Sequence, residues 1–162
     1  MTWVRDATDH DGAAIAALIA AVFAEYEGCP FVAAEFPELA APASHYAERN
    51  GKLMVVEQQG DIVGSFAVYE TWEPGVFALA KVYLAADQRG RGIAQDLLAR
   101  AEAFAADRGG KQLTLWSDSR FTAGHAFYRR QGFTQEAGVR QLHDAAATVE
   151  LRFSRPIAPA RR

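Results

Sequence analysis

The stretch from Val76 to Arg108 constrains this chain more than any other. Val76–Leu84 reads as a strand. It runs into the turn Asp87-Gln88-Arg89-Gly90-Arg91-Gly92, which opens the strongest helix signal of the sequence, Gly92–Arg108. Leu97, Leu98, Ala101, Phe104 and Ala105 form one apolar stripe along that helix. Glycine takes positive φ freely and lets main chain approach a ligand closely. A helix N-terminus offers free N–H groups and the positive end of the helix dipole. Strand, glycine turn and helix together make an anion site suited to a phosphate or pyrophosphate, and Arg89 and Arg91 add two guanidinium groups. The dinucleotide fingerprint needs a small residue where Gln95 stands, and the mononucleotide loop with its Lys-Ser/Thr ending is absent.

The remaining elements follow from periodicity and punctuation. Thr2–Arg5 reads as a strand. Asp9 or Asp11 caps a helix through about Ala24, with Ile15, Leu18, Ile19 and Val22 on one face. Glu25–Pro42, broken by three prolines, reads as a loop or broken helix. Ser44–Asn50 is a short helix ended by Gly51. Leu53–Glu57 and Ile62–Tyr69 flank Gln58-Gln59-Gly60-Asp61 as a hairpin. Gln112–Trp116 is a strand, Ala123–Arg130 a helix stopped by Gly132, and Phe133–Leu142 and Thr148–Phe153 the last strands. Residues 156–162 read as a loose tail. The order predicts a single α+β domain over 1–162: a mixed, mostly antiparallel sheet of six to seven strands flanked by about four helices.

Composition narrows the function. The chain has 162 residues, 50% of them hydrophobic, enough for a sizeable core. A formal net charge of −3 argues against general nucleic-acid or anionic-membrane binding. The single Cys29 excludes an internal disulfide framework, and the scattered His10, His45, His125 and His143 suggest no metal site. Cys29 reads as a small loop residue. The polar N-terminus is no signal peptide, and the longest apolar stretch, Ala13 to Ala24, is too short to span a bilayer, so a cytoplasmic location is expected.

Arg89-x-x-Gly92-x-Ala94 resembles the acetyl-CoA signature of the GNAT N-acetyltransferase superfamily, Gln/Arg-x-x-Gly-x-Gly/Ala. Downstream, His125-Ala126-Phe127-Tyr128-Arg129-Arg130-Gln131-Gly132-Phe133 resembles its second signature, a helix bearing Tyr followed by Gly-Phe or Gly-Tyr. Leu115–Phe121 with Gly124, His125 and Tyr128, and Arg140–Asp144 with Thr148 and Glu150, look like one bacterial branch of undefined substrate.

The resemblance implies the acyl-CoA N-acyltransferase fold, with the sheet splayed between Val76–Leu84 and Gln112–Trp116. It implies acetyl-CoA as co-substrate in that gap, held by Val82, Tyr83, Leu84, Arg89, Gly90, Arg91, Gly92, Ile93, Ala94, Phe121 and His125. It also implies direct attack by a primary amine of a small molecule, with Tyr128 protonating the departing thiolate. A protein N-terminal or lysine acetyltransferase, or a non-catalytic acetyl-CoA-binding module, are the alternatives; a homodimer is expected by family analogy.

Many relatives carry a Glu base where Ala78 stands, which leaves Glu25, Glu27, Glu70, Glu73 and Asp118 as candidates. His125 is read either as a cofactor contact or as a partly buried histidine. His143 and Asp144 either reach the acceptor or shape a turn. The acidic, aromatic segment Glu25–Glu38, with Glu25 and Glu27 foremost, predicts recognition of a cationic amine.

Overall fold

Alternation along the strands sets the architecture. Leu53-Met54-Val55-Val56 is buried at every position, which only a strand covered on both faces requires. The computed structural model describes residues 1–158. Its strands are β1 (Thr2–Asp6), β2 (Lys52–Gln58), β3 (Asp61–Glu70), β4 (Val76–Leu84), β5 (Gln112–Asp118), β6 (Thr134–Gln141) and β7 (Val149–Pro156). They form one sheet in the order β1-β2-β3-β4-β5-β7-β6, antiparallel except for the pair β4–β5. The helices are α1 (Gly12–Phe23), α2 (Pro42–Ala47), α3 (Ile93–Asp107) and α4 (Thr122–Arg130). The mixed, mostly antiparallel sheet with four helices is the architecture expected from the sequence.

Two cores result. Ile15 and Ile19 of α1 and Tyr46 of α2 pack on Leu53, Val55 and Ala67. On the other face Leu97, Leu98 and Ala101 of α3 and Tyr128 of α4 pack on Met54, Val56, Phe66, Phe77, Leu115 and Phe153. Residues one apart in β2 and β3 therefore serve opposite layers.

The β4–β5 pair is short. Its ladder runs from Val76↔Gln112 to Leu79↔Leu115 and stops, although both strands continue. Beyond it β4 leans on β3 and β5 on β7, so the sheet opens into a V. A bulge marks the opening. Ala67 pairs with Ala80 and Ser65 with Tyr83, leaving Lys81 and Val82 opposite Phe66 alone. Lys81 takes φ +53°, and the buried Ser65 hydroxyl donates to its carbonyl at 2.7 Å.

Several boundaries differ from the sequence reading for local reasons. Asp11 is the N-cap residue of α1 but makes no side-chain hydrogen bond to it; a 3-10 turn over Asp9–Asp11 precedes the helix, capped by Thr8, which shares a capping box with Asp11. Asp9 instead accepts the Ser44 N–H and hydroxyl, near the start of α2. The segment read as a loop or broken helix holds two 3-10 turns, Ala33–Glu35 and Pro37–Ala40. The tail expectation fails at its start. Pro156 ends β7, and the buried Ile157 donates its N–H to Lys111 O at 2.9 Å. Residues 159–162 lie outside the described residues.

Gly12 shows what holds the segment after α1 in place. A Cβ there would sit 1.9 Å from Leu39 O. Alanine improves helix propensity by only about 1 kcal/mol, and a backbone clash outweighs it. Gly12→Ala is expected to lower stability by about 1–3 kcal/mol in urea unfolding; an unchanged or higher midpoint would contradict this packing.

Candidate functional site

The V opens into a cleft of about 1370 Å³ that passes through the sheet. Gly90, Gly92, Ile93 and Ala94 line one end, and the far ends of β4 and β5 line the middle. Gly90 and Gly92 have φ of +76° and +78°, and Gly92 caps α3 with no side-chain hydrogen bond. The N–H groups of residues 90–95 have no acceptor among the described residues; Asp96 N–H, bonded to Gly92 O at 3.1 Å, is the first with a partner. This row of open donors at a helix start fits a phosphate-bearing ligand.

Tyr128 lines the cleft from α4, 6% exposed, its ring among Phe127, Phe133 and Phe153. Burial pushes its phenol far above the usual tyrosine value, so the proton stays on through the neutral and alkaline range. Val82, Tyr83, Leu84 and Phe121 also line the cleft. Tyr83 and Phe121 belong to an aromatic cluster with Phe23 and Tyr26, whose rings lie 4.9 to 6.0 Å apart.

Other predicted residues serve different purposes. Arg89 does not present a free guanidinium to the turn. Its Nη1 and Nη2 grip Glu25 at 2.6 and 2.8 Å, and its Nε and Nη2 donate to Leu84 O. Glu25 and Arg89, expected on opposite sides of the reaction, thus bind each other, and the Leu84 carbonyl is engaged as well. Arg91 is exposed and Glu27 is exposed; neither lines the cleft. His125 is buried behind the wall. Its Nε2 donates to Asp118 O at 3.0 Å and lies 3.2 Å from Ser117 Oγ, fastening α4 to the end of β5, and burial lowers its pKa. His143 is exposed off the cleft, while Asp144 accepts the Thr148 N–H and hydroxyl and shapes the β6–β7 turn.

The carboxylates weighed as bases are mostly committed. Asp118 binds Arg120 at 3.0 Å, and Glu70 accepts from Asn50 and the Gly75 N–H. Glu73 lines the cleft with no side-chain hydrogen bond among the described residues. Ala78 lines it too. Cys29 is buried, and burial raises its thiol pKa. Among the described residues no three His, Cys, Asp or Glu side chains gather to hold a metal ion, and no helix is long and apolar enough to cross a membrane.

Sequence reasoning missed Arg120 and Arg130. Arg120 binds Asp118, Gly28 O at 2.8 Å and Thr148 Oγ1 at 3.2 Å, joining three segments around the cleft. Its partners lie up to 92 positions away, which no local pattern reveals. Arg130, at the end of α4, lines the cleft with no hydrogen bond among the described residues.

The model of the acetyltransferase (GNAT) family matches residues 19–133, more than half of the chain. The protein belongs to the GNAT acetyltransferase family. Similar solved structures carry the same fold at low identity. A GNAT-family acetyltransferase from Staphylococcus aureus Mu50 has a TM-score of 0.83 at 14% identity, covering 98% of this chain and 100% of its own. The ribosomal-protein-alanine N-acetyltransferase of Brucella melitensis gives 0.71 at 22%, covering 95% and 99%. The Salmonella typhimurium structure of yncA with its cofactor acetyl-CoA gives 0.72 at 18%, covering 97% and 94%. No curated protein matches the sequence. Family membership brings acetyl-CoA-dependent acetyl transfer to this GNAT protein and leaves its acceptor open.

Gly92 tests the anion site. Space is available for a Cβ there, with no atom within 4 Å. The penalty of Gly92→Glu therefore comes from the left-handed φ and from a carboxylate placed among the open donors. CoA affinity is expected to fall at least about tenfold, on the order of 1.4 kcal/mol, by calorimetry; unchanged affinity would remove the turn from the cofactor site.

Proposed function

We propose that this GNAT protein transfers the acetyl group of acetyl-CoA to a primary amine of a small molecule by direct attack, with the Tyr128 phenol hydrogen-bonding the leaving sulfur and relaying to it the proton that the amine gives up. The observation that carries the reading is one continuous cleft joining the open N–H groups at the start of α3 to the buried phenol of Tyr128. Acetyl-CoA contributes a thioester, an acyl group activated toward amines.

The protein's part is then to bind, align and handle protons. The main chain of residues 90–95 and Arg130 hold the phosphates. The β4 edge past the bulge, unpaired toward β5, offers hydrogen bonds to an amide-bearing arm laid along it. Phe121, Tyr26 and Phe23 close the wall around the reacting carbon and exclude water.

Proton balance assigns Tyr128 a defined task. The attacking amine must lose one proton and the leaving thiolate must gain one. Free thiols titrate near 8.5, below a buried phenol, so complete transfer from Tyr128 to a free thiolate runs uphill. The phenol therefore hydrogen-bonds the sulfur as charge grows and passes its proton on only as the amine returns one to it, so the proton lost by the amine ends on the thiol and Tyr128 is unchanged.

Two measurements test this. Tyr128→Phe keeps the ring and removes the donor, so kcat is expected to fall at least about tenfold with acetyl-CoA affinity little changed. Because burial raises the Tyr128 pKa, the protonated donor persists above the usual tyrosine value. The wild-type kcat is therefore expected to show no decline from phenol ionisation up to about pH 10. Equal kcat for variant and wild type would make Tyr128 structural. Absence of thiol release with every amine offered, while CoA binds, would make the protein a binding module.

A further inference from the structure

The acceptor half of the cleft has an electrostatic feature that the acetyl-transfer reading does not use. Its floor is the face of β5, β7 and β6 that no helix among the described residues covers. The register sets Trp116 opposite Arg152 and Arg140 opposite Glu150. Thr114, Trp116, Arg140, Glu150 and Arg152 all line the cleft.

The two arginines are not equivalent. Arg140 gives both Nε and Nη2 to Glu150 Oε1, at 2.9 and 2.5 Å, and lies 4.6 Å over the Trp116 ring. Its charge is matched. Arg152 gives only Nε, to Thr114 Oγ1 at 3.1 Å. Its nearest carboxylate, Glu136, is 3.8 Å from Nη1, beyond hydrogen-bond distance, and already accepts the Ser154 hydroxyl. The Nη1 and Nη2 amino groups of Arg152 thus have no hydrogen-bond partner among the described residues, although the side chain is only 34% exposed. Thr114 fixes the guanidinium through Nε and leaves its two-pronged end without a hydrogen-bond acceptor, Nη1 facing Glu136 across 3.8 Å.

On the strength of the acetyl-transfer reading, we infer that the acceptor carries a carboxylate on the same molecule as its amine, and that Arg152 binds it. A guanidinium held by Nε presents two parallel N–H donors, the geometry that a carboxylate accepts in pairs. Arg140 is spent on Glu150, whereas Arg152, 3.8 Å from Glu136 with no hydrogen bond between them, keeps donors for one carboxylate. The acids expected to select a purely cationic amine do not compete. Glu27 is off the cleft, and Glu25 is bound to Arg89.

The test uses the full chain, acetyl-CoA and matched acceptors: the protein amino acids, their C-terminal carboxamides, and dipeptides, read by thiol release. The best acid is expected to exceed its own carboxamide in kcat/KM by about tenfold or more. Arg152→Gln is expected to collapse that ratio toward one, and Arg152→Lys, which keeps charge without the fork, to restore part of it. Dipeptides matching free amino acids would place the carboxylate on a peptide end; free amino acids alone would place it on a small metabolite. Either supports the inference. Carboxamides equal to acids, or an acid preference that survives Arg152→Gln in a variant still binding CoA, would overturn it while acetyl transfer stands. If no amine releases thiol, the transfer reading fails, and calorimetry on the CoA-loaded wild type decides this inference separately. N-acetyl amino acids must then bind more tightly than N-acetyl carboxamides, and equal or absent binding overturns it. The same wild-type comparison decides the matter should Arg152→Gln fail to fold.

Discussion

The early end of the β4–β5 ladder is the constraint on which the rest of this GNAT protein depends. Each strand has a second, longer partner. β4 pairs along its length with β3, and β5 pairs with β7 from Gln112 to Asp118. Parting after Leu79 and Leu115 therefore sacrifices only main-chain bonds of one parallel pair, the weaker kind of ladder. The bulge at Lys81 adds a left-handed residue, and the Ser65 hydroxyl stabilises it from a fully buried position. Both lips of the V belong to well-paired half-sheets, so the cleft is stiff before any ligand arrives, and less ordering is lost on binding.

A rigid opening still needs a wall, and ion pairs and hydrogen bonds build it. Four straps hold the segment that follows α1. Glu25 clasps Arg89 and Glu35 accepts the Ala145 N–H. Glu38 binds Lys81 at 2.7 Å, and Gly28 O accepts from Arg120. Lys81 and Glu38 are largely buried, and this bridge crosses from the β4 bulge to the Pro37–Ala40 turn. Removing one partner of such a pair costs more than the pair contributes, because the other charge stays buried. Glu25, Glu35 and Glu38 are thus bound into the frame of the cleft.

That division explains what the sequence disclosed. Features encoded over a few residues were legible: the glycine turn into α3, the apolar stripe of that helix, the Gln59-Gly60 hairpin, and Tyr128 with its Gly-Phe ending. Features encoded by pairing across the chain were not. Glu25 and Arg89 stand 64 positions apart, and Glu35 and Ala145 stand 110 apart. A charge count over Glu25–Glu38 sees four acids, while the fold binds three of them to partners that the count ignores. His125 illustrates the same gap. Its spacing from Tyr128 places it on the adjoining helix face, but the end of β5 takes its Nε2 into the core.

The floor of the cleft over β5, β7 and β6 depends on register for the same reason. Trp116, Arg140, Glu150 and Arg152 belong to three strands, and alternation alone assigns each of them to one of two faces. Only the pairing of β5 with β7 and of β7 with β6 brings them to the same face beside one another. A shift of one residue in β7 would exchange Arg152 for Phe153 on that floor and send the guanidinium into the α4 core. The buried Phe153, packed against Tyr128 and His125, opposes that shift. The apolar residue that anchors Tyr128 on one face of β7 thus also fixes Arg152 on the other, so a single strand register sets both the Tyr128 wall and the Arg152 floor of the cleft.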